Sequence, residues 1–464
     1  MNTQKTVQAV FAVGLTGVAF LTTAGRTTGD EPRSNQLTFA NRSGVQRTIT
    51  TADTIDPKNP FFQDIGTNGR TCFSCHRPAQ AWTITPEEIR QRFDETAGLD
   101  PVFRNNDGSN CEGADVSTLS RRRRAFSQLL TKGLIRIGLA VPENAEFEIV
   151  EADDPYDCGA PLTQASMFRR PLPTTNLGFL STVMWDGRET VKGQAIRSNL
   201  LTQASDATTT HAQGVPPSPA QLEQIVAFEL GLFTAQTHDN GAGSLRAHDA
   251  TGGPRPLSTE PFCIGINDPL NILPVMPGAC ETSSGGLDPV VFTIFKNWEH
   301  AKAPERLAIA RGQELFNTRE FVIDNVGGLN GAPEDPVGTP LRATCTICHD
   351  TPNAGNHSIS MPLNIGLTTA ARRTPDLPLY TLRNKATFET VQTTDPGRAM
   401  VTGKWADVSK FKGPILRALA ARAPYFHNGA AATLEEAVDF YDTRFNIGLT
   451  AREKADLVAF LKTL

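Results

Sequence analysis

The chain has 464 residues, with 44 Lys and Arg against 49 Asp and Glu, for a formal net charge of −5. Hydrophobic residues at 39% and aromatic residues at 7% are enough for a packed core, which excludes collagen, coiled coil and wholesale disorder. A mildly acidic chain without a long basic tract also excludes nucleic acid as the main partner. In chain order, Lys5 precedes a mostly apolar stretch from Val7 to Leu21 and then Thr22-Thr23-Ala24. That reads as a signal peptide over residues 1–24, cleaved near Ala24 and too short for a membrane span. It predicts an exported, soluble periplasmic protein, with no stable membrane insertion after cleavage and an oxidising environment for its thiols. Residues 25–60 read as a polar lead-in. Pro86-Glu87-Glu88 opens a helix running to Phe93, and a second helix spans Ser120 to Leu130 with Arg121–Arg124 on a solvated face. Residues 141–175 look irregular, and Gln221–Phe233 has helical spacing. The Gly- and Pro-rich stretch 235–290 reads as an insertion, which puts a domain boundary near 300. Beyond it come a helix over Ala303–Phe316 and two capped starts, Thr433-Leu434-Glu435-Glu436 and Thr450-Ala451-Arg452-Glu453. After the second, Leu457, Leu461 and Leu464 share a stripe. No alternating pattern is sustained, so the expected fold is mainly α, in two domains over 25–300 and 301–464 joined by long irregular loops and insertions.

The motifs Cys72-Phe73-Ser74-Cys75-His76 and Cys345-Thr346-Ile347-Cys348-His349 carry the chemistry. Two thiols three residues apart reach the two vinyl groups of one haem, and the adjacent His supplies the proximal iron ligand. A thioredoxin-like pair does not need that His, and both copies here have it. The reading is two covalently bound haem c groups in two cytochrome c-like domains, anchored by Cys72 and Cys75 and by Cys345 and Cys348, with His76 and His349 on the irons. The remaining Cys111, Cys158, Cys263 and Cys280 allow three pairings. Cys111–Cys158 and Cys263–Cys280 are favoured, because each pair lies within one irregular segment. The sixth position of each iron separates an electron carrier from a reactive site. Candidates are His211, His238, His248, His300, His357 and His427, with Met167, Met184, Met276, Met361 and Met400, of which Met400 is within chain reach of His349.

With these motifs on the page, the chain resembles the bacterial di-haem cytochrome c peroxidases and their MauG-like relatives. The resemblance covers roughly residues 60–100, 165–205 and 305–464. It rests on the stretch from Cys72 to Thr83, on Pro173-Thr174-Thr175-Asn176 and on Trp185-Asp186-Gly187-Arg188. In the second half it rests on Asp395-Pro396-Gly397-Arg398, Phe411-Lys412-Gly413-Pro414, Ala423-Pro424-Tyr425-Phe426-His427-Asn428-Gly429 and Thr433–Tyr441. The resemblance implies that the first haem is the peroxide-reactive one, open on its distal side, and that the second exchanges or stores electrons. Where the peroxidases have a distal Met fourteen residues after the His of the Pro-Tyr-Phe-His turn, this chain has Tyr441, as MauG-like members do. A tyrosinate ligand favours ferric iron. The family's reactive pocket also holds a Gln and a Glu. The matching positions here are Val183 and either Gly193 or Thr202, so the acid is missing. Glu189 and His211 are the nearby substitutes, and Arg188 either stabilises a developing oxyanion or pairs with a haem propionate. One of Trp82, Trp185, Trp298 and Trp405 would relay electrons between the haems. A calcium ion between the domains would be held in part by the carbonyls of Arg422 and Pro424.

The activity expected is therefore a periplasmic peroxidase-type oxidoreductase that reduces hydrogen peroxide with electrons passed between two haems, or stores oxidising equivalents as MauG-like members do. Its electron donor would be a small redox protein of the cytochrome c or cupredoxin type. The alternatives are a dioxygen-using haem oxygenase acting on an organic substrate, favoured by the missing acid, and a plain di-haem electron-transfer protein.

Overall fold

Polar side chains face inward from the first sheet alongside Leu232 and Ala235. The computed structural model describes residues 34–270, 279–280, 286–332, 335–359 and 361–464. The expected signal peptide and Met276 lie outside them. Strands Gln36–Asn41, Gly44–Thr50, Leu232–Asp239 and Gly243–Ser244 pair antiparallel in that order. Along Gly44–Thr50 alternate residues are buried, but they include Gln46, Thr48 and Thr50, facing Thr234 and Gln236. Burying them is affordable because they bond to one another. The Thr48 and Thr234 hydroxyls lie 2.8 Å apart, and those of Thr234 and Thr175 2.9 Å apart. Asn176 Nδ2 donates to the Thr234 carbonyl at 2.9 Å. The same face holds the loop after the first CxxCH motif. Gln46 Nε2 donates to the Ala79 carbonyl at 2.7 Å, and Trp82 Nε1 donates to Thr48 Oγ1 at 2.9 Å.

Three further small sheets follow. Ile135–Ala140 pairs with Gln164–Arg169, Phe321–Ile323 pairs with Leu341–Ala343, and Leu379–Asn384 lies between Thr390–Thr393 and Phe147–Asp153. With 31% helix and 17% strand, the fold is mixed α/β and corrects the expectation of a mainly α chain. The stretch 141–175 is not wholly irregular, since it contains Phe147–Asp153 and Gln164–Arg169. In Leu379–Asn384 the alternation is present, with Tyr380 and Leu382 buried, but the strand is only 6 residues long. This sheet joins chain from either side of position 300.

The helices follow the sequence signals more closely. Thr85 caps Pro86–Thr96, and the expected Ser120–Leu130 helix is broken at Phe126 into Leu119–Ala125 and Ser127–Lys132. Thr450 and Glu453 form a reciprocal capping box at Ala451–Leu461. At Leu434–Phe445 the Thr433 hydroxyl accepts from the Glu436 amide, while the Glu436 carboxylate accepts from the Ala432 amide, one residue earlier than a capping box requires. Leu457, Leu461 and Leu464 are buried with Phe292, Phe316 and Phe460, as the stripe implies. Pro304–Thr318 packs on Ala451–Leu461 at Gly312, where a Cβ would lie 2.0 Å from the Asp456 carbonyl oxygen. Arg311 pins the same crossing with two bonds of 2.7 Å to the Asp456 carboxylate.

One buried ion cluster ties three distant segments. Arg169 donates to both Asp395 oxygens, at 2.7 and 2.8 Å, and to Asp186. Burial alone would push the Asp186 carboxyl up, but Arg169 and Arg188 override it and hold the pKa at about 2. Because the folded value lies below the ordinary 3.8, this carboxylate contributes stability above pH about 3.8 that is lost as pH falls toward 2. Asp186→Asn should therefore flatten the fall in urea midpoint between pH about 4 and 2 that the unsubstituted protein shows. Equal slopes in the two proteins would show that Asp186 does not carry this acid sensitivity.

Candidate haem sites

Each CxxCH motif begins as a single helical turn, Cys72–Ser74 and Cys345–Ile347. The His76 amide donates to the Cys72 carbonyl at 3.0 Å and the His349 amide to the Cys345 carbonyl at 3.3 Å. This turn brings two thiols and one imidazole to the wall of one cavity in each case. His76 Nδ1 lies 3.0 Å from the Trp82 carbonyl oxygen, and His349 Nδ1 lies 3.1 Å from that of Gly355. A carbonyl only accepts, so Nδ1 carries the proton and the Nε2 lone pair is left for a metal. Burial lowers both imidazole pKa values to about 4, against the opposing carbonyl bonds, so both rings are neutral at physiological pH.

The two cavities have volumes of about 170 and 210 Å³. They share a wall made of Arg170, Pro171, Pro173, Trp185, Lys412, Pro414 and Arg422. That wall tests the fit of haem, which brings two carboxylates on an otherwise apolar ring. Arg417, beside it in the first cavity, is 3% exposed, with Nε and Nη1 unpartnered. Burial lowers the pKa of Lys412 to about 7 and of Arg417 and Arg422 to about 10. None of the three forms an ion pair among the described residues. Buried cations without counter-charge are costly, and propionates would supply it. The residues fit the group.

Of the residues named from sequence, Arg188 and His211 line the first cavity and Glu189 does not. Arg188 is held by Asp186 at 3.2 Å and by Glu189 at 3.8 Å. Burial, with Asp206 adding to it, raises the Glu189 carboxyl to about 7. His211 caps the helix Ile196–Thr210, whose Leu200, Ala204, Ala207 and Thr208 also face the cavity. Its Nδ1 bonds to the Asp107 carboxylate, whose other oxygen accepts from Arg70 Nη1 at 2.5 Å. Sequence reasoning did not find Asp107, nor Glu229, which lines the same cavity at 5% exposure with Oε2 unpartnered. Burial pushes its carboxyl up to about 8. The signal was present, because Glu229 sits on the buried stripe of its helix with Ile225 and Val226.

Tyr441 lines the second cavity with His357 and His427, and burial raises its phenol. Met400 packs with Phe147 and Leu382 and lines neither cavity, while Met184 lines the first. His238, His248 and His300 are exposed. Of the four tryptophans, Trp185 alone lines both cavities, and its Nε1 donates to the Arg170 carbonyl at 2.8 Å. Both favoured disulfides, Cys111–Cys158 and Cys263–Cys280, are present. The turn expected to help hold calcium does not fit that ion. The Arg422 carbonyl accepts from Arg170 Nη2 at 3.2 Å, and the same guanidinium donates to the carbonyls of Ile84 at 2.7 Å and Lys132 at 2.8 Å. A cation already sits among these oxygens.

Each CxxCH loop faces a cavity of its own, and the two cavities adjoin. No protein-family model matches the chain. Among curated proteins it is 35% identical over 137 residues to the cytochrome-c peroxidase IdrP2 of Denitromonas iodatirespirans, covering 26% of this chain and 36% of that protein. It is 45% identical over 80 residues to the cytochrome c551 peroxidase of Nitrosomonas europaea, covering 17% and 24%, and 38% identical over 85 residues to the cytochrome c peroxidase Ccp of Escherichia coli, covering 18% of each. The match thus spans between 18% and 36% of the length of these relatives. They bear out the resemblance to bacterial cytochrome c peroxidases read from the motifs, and with it haem c as the cofactor. A crystal structure of a MauG-like protein associated with microbial copper homeostasis aligns over 88% of this chain and 86% of that one, at 17% identity and a TM-score of 0.39, an overlap too low to establish a shared fold.

Replacing the unpaired cation should expose its partner. Arg417→Met should lower the midpoint potential of one haem by on the order of 60 mV, about 1.4 kcal/mol for one electron, because a nearby positive charge favours the reduced iron. Potentiometric titration of the haem bands reads this, and an unchanged potential would separate Arg417 from the cofactor.

Proposed function

We propose that the protein is a di-haem c oxidoreductase of the peroxidase type, reducing hydrogen peroxide to two waters with two electrons and two protons. The observation that carries this reading is the pair of CxxCH cavities joined through one wall containing Trp185. Haem c in each cavity supplies an iron that takes electrons singly and, at the first site, receives peroxide. On this reading residues 25–300 and 301–464 form the two haem domains, and the leader at 1–24 directs export to the periplasm.

The chain's own groups supply the rest. His76 and His349 hold the irons through Nε2, each fixed by the N–H bond to its loop carbonyl. In the first cavity Glu229 is protonated at neutral pH and can give a proton, replacing the acid missing by sequence match. His211, oriented by Asp107, exchanges protons from the helix end. Arg188 offers its guanidinium to developing negative charge, with Glu189 acting through it as a positioning residue. Trp185 relays electrons across the shared wall. Tyr441, which lines the second cavity, would hold the second iron through its phenolate, and that donor would favour the ferric state, suited to sharing oxidising equivalents. A small redox protein of the cytochrome c or cupredoxin type supplies the electrons.

Rapid mixing of the reduced holoprotein with peroxide tests the reaction. Fast oxidation of the haem bands is expected, and bands that do not respond would sink the peroxidase reading. Glu229→Gln should slow peroxide turnover by about 10²–10⁴-fold and remove the alkaline limb of its pH profile, which a packing role would leave in place. Tyr441→Phe should convert a six-coordinate haem spectrum to a five-coordinate one; an unchanged spectrum removes that residue as ligand.

A further inference from the structure

The loop after the second CxxCH motif collects buried oxygens that have no partner. Asp350, at 0% exposure, accepts from the Ser358 amide through Oδ1, while its Oδ2 bonds to nothing. Asp268, at 2% exposure, accepts from the Leu270 amide at 2.9 Å through Oδ1, and its Oδ2 is likewise unpartnered. Ser358 Oγ, Thr351 Oγ1 and Asn356 Oδ1 complete a run of five such atoms. The two segments are in direct contact. Asn267 Nδ2 donates to the Asp350 carbonyl at 3.1 Å, and the Gly265 amide donates to the Ser358 carbonyl at 2.6 Å. Among the described residues no Lys, Arg or His forms an ion pair with either carboxylate.

Two buried carboxylates on touching segments, each with an unpartnered oxygen and no ion-pair partner among the described residues, are costly for a fold to hold. The donor set is oxygen throughout, mixing carboxylate, hydroxyl and amide, and it offers no soft or nitrogen ligand. That chemistry selects a hard divalent ion tolerant of irregular geometry, which is calcium rather than zinc or copper. We propose that a calcium ion binds between Asp268 and Asp350, with the Ser358 hydroxyl as a further donor. The site is distinct from the Arg422–Pro424 turn, where Arg170 occupies the carbonyls. The ion clamps the disulfide-stapled segment carrying Asp268 to the loop 350–358. That loop also carries Gly355, whose carbonyl orients His349.

The test uses the haem-loaded protein, does not depend on turnover, and so is independent of the proposed reaction. Elemental analysis after gel filtration in chelator-treated buffer should find about one calcium per chain. After treatment with EGTA, the melting temperature followed by circular dichroism should rise on adding calcium chloride. Asp268→Asn, which keeps the shape and removes the charge, should bind calcium at least about tenfold more weakly and lose most of that rise. Should the variant fail to fold, calcium titration of the unsubstituted protein decides alone. Two outcomes overturn the proposal. One is no retained calcium and no thermal response, as a proton shared by the two carboxyls would give. The other is equal calcium binding by the unsubstituted protein and Asp268→Asn.

Discussion

Lys412 and Arg417 stand buried at the wall between two cavities, with Arg422 half-buried beside them, and none of the three forms an ion pair among the described residues; that imbalance constrains the rest of the molecule. An uncompensated buried cation in a low-dielectric interior costs several kcal/mol, a large share of what a marginally stable fold has to spare. The counter-charge has to arrive with the cofactor. Haem propionates at this wall would make cofactor and polypeptide parts of one electrostatic unit. Backbone carbonyls hold Arg422, through those of Arg417 and Ile415, and they hold Arg170 as well. Its guanidinium is spent on the carbonyls of Ile84, Lys132 and Arg422, which lets one side chain do from within what a bound ion would do from outside.

The two CxxCH histidines are built alike at close range and differently beyond it. Each gives its Nδ1 proton to a carbonyl six residues on. Behind Trp82 stands a chain of side-chain bonds, from its indole to Thr48 and on to Thr234 and Thr175, anchored in a sheet. Behind Gly355 stands a loop whose own oxygens lack partners. A rigid sheet sets the first imidazole, whereas the second depends on whatever holds its loop. Such outer contacts tune ligand basicity and ring orientation as strongly as the ligand itself.

What could be read before the structure was known follows from where the information resides. Cys72, Cys75 and His76 are legible because covalent attachment demands fixed side chains at fixed spacing, and the disulfides because each closes a local segment. The first sheet was hidden because its buried face includes Gln46, Thr48, Thr234 and Gln236, so that hydrophobic alternation, the usual witness of a strand, is absent. Glu229 was passed over as one acid in an apolar helix, when an acid at a buried position is the anomaly that signals use. The Arg170 cage could not be seen at all, since its acceptors are backbone carbonyls, which carry no residue identity. Asp107 and His211 meet only through tertiary folding, more than a hundred positions apart.

The composition of the first cavity has a consequence for how the protein is made. Its lining runs from Ile65 to Arg422, and the strand Phe147–Asp153 waits for Leu379–Asn384. The pocket around Cys72 is therefore unfinished until nearly the whole chain has emerged. Contacts of such long range form late, because loop-closure entropy must be overcome before they reward it. The first CxxCH motif thus stays unenclosed until the segment around residues 412–422 is in place. A chain truncated before residue 412 would keep every residue that bonds the first haem covalently, yet lack the charged wall that makes burying it favourable.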